Sequence, residues 1–160
     1  HLNNHLTPSM IYKDINLALI NGLIIYNEKF RSSELEKLRP DLKSFYNTTQ
    51  SFACFANTAK SEVKYNGKKL IGSAQRKLGN IILQHGSILC GDYHQLIFKY
   101  SNLPEEDKLT LKEELNYKTI TIENIINEKV NYNKLTKSLK IGFEDWLNSN
   151  RKDFTFINVN

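Results

Sequence analysis

The tetrapeptide Tyr65-Asn66-Gly67-Lys68 constrains this chain more than any other feature. Asn-Gly is the pair preferred in a type I′ turn, because both central residues need positive φ. On one side Glu62-Val63-Lys64-Tyr65 alternates polar and apolar. On the other, Lys68-Lys69-Leu70-Ile71-Gly72-Ser73-Ala74 continues beyond the turn. A second punctuation, Gly79-Asn80, precedes the apolar run Ile81 to Leu89, which reads as a mostly buried strand. Three sequential strands predict an antiparallel meander.

Helical spacing surrounds this meander. Thr7 is a candidate N-cap and Pro8 a candidate first helical residue. Ile11, Ile15, Ala18, Leu19, Gly22 and Leu23 then recur with helical period, which predicts a helix over Pro8 to Tyr26. Asn27 to Gln50 reads as a long connecting segment, with a turn or two of helix around Glu34 to Leu38. Asp92 to Tyr100 is expected to be a short helix capped by Asp92. Pro104 and the acidic residues after it are expected to form a loop. Helices are predicted over Thr121 to Val130, with Thr121 as cap, and over Asn133 to Asn148. The second places Leu135, Leu139, Phe143, Trp146 and Leu147 on one face. A last strand is expected over Phe154 to Val159. Helices on one side of an antiparallel sheet make an α+β domain.

Composition narrows the function classes. The 160 residues are 40% hydrophobic and 24% charged, as in an ordinary soluble domain. No apolar run approaches the length of a membrane span, and no signal peptide is evident. A cytoplasmic protein is the expectation. Two cysteines, Cys54 and Cys90, are too few for a disulfide framework. No Cys-x-x-Cys or His-x-x-x-His spacing points to a metal. The net charge of +5 favours an acidic partner or simply a soluble surface. With few arginines and dispersed lysines, a nucleic-acid groove has little support.

Some residues could carry chemistry. Across a two-residue turn, Lys64 faces Lys69 and Val63 faces Leu70. The two lysines then oppose each other with like charge, and Glu62 lies diagonal to Lys69, where it could offset it. Read from pattern alone, this is a solvated face of flexible lysines; the sharper alternative aims Lys69 at an anion or a polarised carbonyl. Gly72-Ser73-Ala74 is either a bulge or a close approach of a ligand to the backbone. His85 and Ser87 flank Gly86, with no acidic residue to complete a triad, and a lone histidine there is more often structural. Cys90 reads as structural. Cys54 reads as buried and inert, or as a nucleophile with a lowered pKa beside the lysine cluster.

The segments Gly67-Lys68-Lys69-Leu70-Ile71-Gly72-Ser73-Ala74-Gln75-Arg76 and Leu83-Gln84-His85-Gly86-Ser87-Ile88-Leu89 are specific. With Cys54-Phe55 and Glu62-Val63 they closely resemble the lipoate-protein ligase family, and most closely its octanoyltransferase branch, of the LipM type. The likeness is sharp from Cys54 to Leu89. The resemblance implies a biotin/lipoate protein ligase catalytic domain. In that family Lys69 would contact the acyl carbonyl, and Cys54 would match the acyl-accepting cysteine. Gly72, Ser73 and Ala74, with Gln84, His85 and Gly86 on the neighbouring strand, would line the acyl pocket. The implied donor is an octanoyl (or lipoyl) acyl carrier protein, and the acceptor is a lysine of a lipoyl domain or the glycine-cleavage H protein. No cofactor is implied, except ATP if the chain is an ATP-dependent ligase in which Cys54 is incidental. A further alternative is a non-catalytic half-domain that binds lipoyl domains.

The family's Arg-Arg-x-x-Gly-Gly motif, carried by its N-terminal part, has no match here. The resemblance therefore covers the C-terminal part of such a domain, across residues 1–160. The expectation is a fragment or one chain of a split enzyme, whose missing N-terminal half would be a partner. Such a chain should bind a hydrophobic dye strongly or self-associate; a clean monomer without dye binding would count against it.

Overall fold

The computed structural model describes residues 7–38, 59–79 and 81–150. Helix α1 spans Pro8–Tyr26, the range its sequence predicts. Thr7 caps it, its hydroxyl accepting the Met10 N–H at 3.2 Å, with Pro8 in the first turn. Asn27 leaves the helix in an extended conformation, and its side chain caps a 3-10 turn over Glu28–Ser32.

The expected helical turn around Glu34 is not there. Ser33–Leu35 is instead a strand, β1, and so part of the supposed connecting segment is ordered. It pairs antiparallel with β2 (Val63–Tyr65), Ser33 opposite Tyr65 and Leu35 opposite Val63. A partner strand on β2 overrides the weak local preference of a charged stretch. Residues 39–50 of that segment lie outside the described residues, as do Cys54 and the expected strand Phe154 to Val159.

Strand β3 (Lys68–Leu78) follows a turn with φ of 49° at Asn66 and 77° at Gly67, the type I′ signature. Tyr65 faces Lys68 and Lys64 faces Lys69, as the turn dictates. The next pair departs from expectation: Val63 faces Ile71, not Leu70. Leu70 is the extra residue of a bulge, and it lets Leu70 and Ile71 both be buried (0% and 1% exposed). Strand β4 (Ile81–Ile88) pairs with β3 from Ile71–Ile88 to Leu78–Ile81. The sheet order is β1-β2-β3-β4.

Strand β4 is not the buried strand its sequence suggests. Ile81 is 63% and Leu83 56% exposed, because nothing among the described residues covers that face, and only Ile88, with Leu89 just beyond β4, reaches the core. Beyond it, a 3-10 turn (Asp92–Leu96) leads into α2 (Ile97–Tyr100). Gly91, not Asp92, holds the cap position. The expected loop after Pro104 is helix α3, Glu105–Lys118. It has almost no apolar stripe, only Leu111 and Leu115 being buried. Its first turn holds Glu105, Glu106 and Asp107, which favour the positive end of the helix dipole. Helix α4 (Ile122–Ile126) starts at Thr121, whose capping box with Asn124 is complete. It stops at left-handed Asn127, short of the predicted Val130. Helix α5 covers Tyr132–Asn150. The result is an α+β fold, and none of its described helices is long and apolar enough to cross a membrane.

The core joins Leu23, Phe30, Val63, Leu70, Ile71 and Ile122, all fully or nearly fully buried. Helix α5 meets α1 closely at small residues; of the face its pattern predicts, Leu135 and Leu147 are buried and Leu139, Phe143 and Trp146 are half-buried. A Cβ on Gly142 would lie 2.2 Å from the Gly22 nitrogen, and one on Gly22 would lie 2.6 Å from Leu139 Cα. Ser138 is buried in the same seam, and the Asn21 side chain donates to the Gly142 carbonyl at 3.0 Å. On an exposed helix, Gly→Ala would gain about 1 kcal/mol from propensity. Here the new methyl meets backbone that cannot rotate away. Gly142→Ala is therefore expected to destabilise by about 1–3 kcal/mol in thermal or denaturant unfolding, whereas exposed Ser149→Ala should stay within about 0.5 kcal/mol.

Candidate active site

Lys69 is the second residue of β3, fixed in direction by the tight turn before it. Its ammonium lies 2.9 Å from a Glu62 carboxylate oxygen, and both side chains are only 4% exposed. The confrontation of Lys64 with Lys69 is resolved by separate carboxylates, Lys64 pairing with Glu36 at 2.8 Å. That bond holds the Glu36 carboxyl below its usual range.

Glu62 does more than neutralise Lys69. The oxygen that meets the ammonium also accepts the Ala59 N–H at 2.6 Å, and the other accepts the Ser73 N–H at 2.9 Å. In an antiparallel ladder, one residue's N–H and C=O point to the same side. The Ser73 carbonyl accordingly points the same way, and it accepts the Tyr12 hydroxyl at 3.0 Å. Strand β2 begins at Val63, opposite Ile71, so among the described residues no strand reaches Ser73 from that side. Glu62 and Tyr12 replace it, satisfying backbone groups that burial would otherwise leave unpaired. Burial, reinforced by the Glu62 charge, pushes the Tyr12 hydroxyl up to about 12, so it stays a proton donor near neutrality.

Beside this network lies a cleft of about 210 Å³, lined by Glu62, Lys69, Gly72–Ala74 and His85–Ser87. It gathers six of the residues singled out by sequence: Lys69, Gly72, Ser73, Ala74, His85 and Gly86. The seventh, Gln84, is not in the lining; its side-chain oxygen accepts the Gln75 amide at 3.1 Å. The eighth, Cys54, lies outside the described residues. A side chain at Gly86 would collide with the Gly72 carbonyl and the Ser73 hydroxyl, each 2.6 Å from its Cβ. Only glycine therefore keeps this wall in place.

Cys90 sits half-buried against the core, and burial together with the Glu123 charge pushes its thiol up, away from the reactive thiolate. A larger cleft of about 630 Å³, between the start of α1 and β1, contains none of the sequence-selected residues. Sequence reading missed Tyr12, Ala59 and Ser87 as parts of the site and saw Glu62 only as a charge offset. The diagonal of Glu62 with Lys69 was the available signal. Nothing in the helical pattern distinguishes Tyr12.

Chemically, the site offers a buried cation beside a wall of exposed backbone. An ammonium in that position can stabilise negative charge that develops on an acyl or phosphoryl oxygen. The Ser73 N–H is not available for that task, because Glu62 occupies it.

Residues 15–92 match the biotin/lipoate A/B protein ligase family. An octanoyltransferase LipM of Lysinibacillus sphaericus is 32% identical over 127 residues, 79% of this chain and 45% of its own. Another, of Staphylococcus epidermidis, is 31% identical over 153 residues, 92% of this chain and 53% of its own. The Bacillus subtilis octanoyltransferase LipM is 28% identical over 145 residues, 89% of this chain and 51% of its own. The chain thus spans about half the length of these curated relatives. No solved structure matches it. Residues 15–92, the part of this chain that is similar to the biotin/lipoate A/B protein ligase family, include every residue that lines the cleft.

Proposed function

We propose that this chain supplies the C-terminal part of an octanoyltransferase catalytic domain acting in the cytoplasm. It would move an octanoyl or lipoyl group from acyl carrier protein to a lysine of a lipoyl domain or the glycine-cleavage H protein. The observation that carries the reading is the buried Glu62–Lys69 pair beside a cleft walled by Gly72–Ala74 and His85–Gly86. The names of the relatives supply the reaction class.

In this reading the Cys54 thiolate attacks the donor thioester. The Lys69 ammonium stabilises the oxyanion, the carbon–sulfur bond to the carrier breaks, and the carrier leaves as a thiol after taking up a proton. The acceptor amine then attacks the Cys54 thioester, an amide forms, and the amine's proton is released as Cys54 is freed. Two easier steps replace one hard one. Cys54 precedes Ala59 by five residues, and five residues span at most roughly 18 Å. Ala59 is itself hydrogen-bonded to Glu62, which lines the cleft. The +5 charge suits acidic carrier domains. No metal or other cofactor enters this scheme.

Intact mass after incubation with octanoyl-acyl carrier protein, without ATP, tests the reading. The chain should gain one octanoyl group, and Cys54→Ala should abolish the gain. Lys69→Met, checked for folding by circular dichroism, should slow it about 10²–10³-fold, as loss of an oxyanion partner does elsewhere. Modification of an acceptor only with free acid and ATP, persisting in Cys54→Ala, would replace the transferase with a ligase. Binding of a lipoyl domain without turnover would leave a binding partner.

A further inference from the structure

We infer that Glu62 is the positioning residue of this site. Its one carboxylate holds Lys69, the cleft wall at Ser73 and the backbone at Ala59 in fixed relation to one another. The chemistry of this inference rests on the acyl-transfer reading above; its geometry stands without it.

Three donors from three parts of the chain converge on the carboxylate, at 2.9 Å from Lys69, 2.9 Å from Ser73 and 2.6 Å from Ala59. Glu62 is 3% exposed, so water does not compete for these bonds. An ionised carboxylate has about four acceptor sites, and its bonds are roughly twice as strong as neutral ones. An ion pair serving charge alone would need only Lys69. Here the second oxygen is committed to a strand N–H, and the first is shared with a loop N–H.

The residue before Glu62 gives an independent sign of the same role. Ser61 is held at φ 68°, a left-handed conformation that is unfavourable for a non-glycine residue. Three hydrogen bonds fix it and its neighbour. Buried Asn16 donates to the Ser61 carbonyl at 2.8 Å, the Ser61 N–H reaches the Glu36 carbonyl at 2.8 Å, and the Glu36 N–H reaches the Glu62 carbonyl at 2.8 Å. The strained turn, clamped from α1 and from the end of β1, aims the Glu62 side chain across β2 towards β3. An ammonium has three N–H donors, and the bond to Glu62 fixes the direction of one of them.

The test is a double-mutant cycle in the whole chain, read by single-turnover acylation with octanoyl-acyl carrier protein. Glu62→Gln keeps the shape but turns an NH₂ group towards one of the three donors. Its limiting rate should fall about 100-fold, the scale of a misplacement near 1 Å, with little change in the donor concentration needed for half-saturation. The double variant Glu62→Gln/Lys69→Met should be slower than Lys69→Met by much less than 100-fold, because a large part of the Glu62 effect runs through Lys69. Independent, multiplying losses would overturn the inference.

Amide hydrogen exchange supplies a readout that does not depend on activity. In Glu62→Gln, Ala59 and Ser73 should lose protection together, while Leu23 in α1 and Ile125 in α4 keep theirs. A response at only one of the two amides would also overturn the inference. If the unsubstituted chain is not acylated, the acyl-transfer reading fails alone. The exchange pattern then decides whether Glu62 joins the three elements.

Discussion

A lysine and a glutamate, each only 4% exposed, face each other 2.9 Å apart in the middle of this fold. Burying two charges costs several kcal/mol per ion, and their attraction offsets this only when geometry is good and the remaining polar atoms are satisfied. Both conditions are met: the carboxylate accepts two backbone N–H groups besides the ammonium. A well-packed apolar pair would serve stability at least as well. What the ion pair adds is directional order. The bulge at Leu70, the strained Ser61 and the start of β2 at Val63 all bear on where these two side chains point.

Helix α1 links that centre to the rest of the domain. Its first turns carry Tyr12 to the Ser73 carbonyl and Asn16 to the Ser61 carbonyl. Ten residues further on, Gly22 lies directly against Gly142 of α5. At 1.5 Å per residue, one rigid helix thus spans about 15 Å between the cleft and the closest packing seam. The absence of side chains at Gly22 and Gly142 is what allows α5 to lie so near, and with it the apolar cluster of Leu23, Leu135 and Leu139.

Much of this was legible in the residues, where local rules and tertiary demands agree. Thr7-Pro8 fixes the start of α1 and Asn66-Gly67 fixes the turn; Thr121 marks the start of α4. The hairpin register follows from the turn for two pairs and then fails at Leu70, because a bulge is a response to burial on both faces and has no local signature. Helix α3 was hidden for the opposite reason. It is specified by charge at its first turn, not by an apolar stripe, and periodicity does not register it. The apolar run Ile81 to Leu89 was misread because composition reports hydrophobicity, not whether a neighbour is present to cover it. The cleft wall at Gly72–Ala74 and His85–Gly86 was visible as small residues in strands. The roles of Glu62 and Tyr12 were not, since they depend on where β2 starts.

Beyond Ser73, strands β3 and β4 continue as a pair with no third strand beside them among the described residues. Leu78, Ile81 and Leu83 there are each more than half exposed. Two strands alone are marginal in water, and local stability follows the density of buried contacts. The ribbon is clamped at Ser73 by Glu62 and Tyr12 and is exposed towards Gly79. The cleft lies at the clamp. Its wall at Gly72–Ser73 is tied to the core through Glu62 and Tyr12, whereas Ala74 and His85 stand exposed on the far side of that tie.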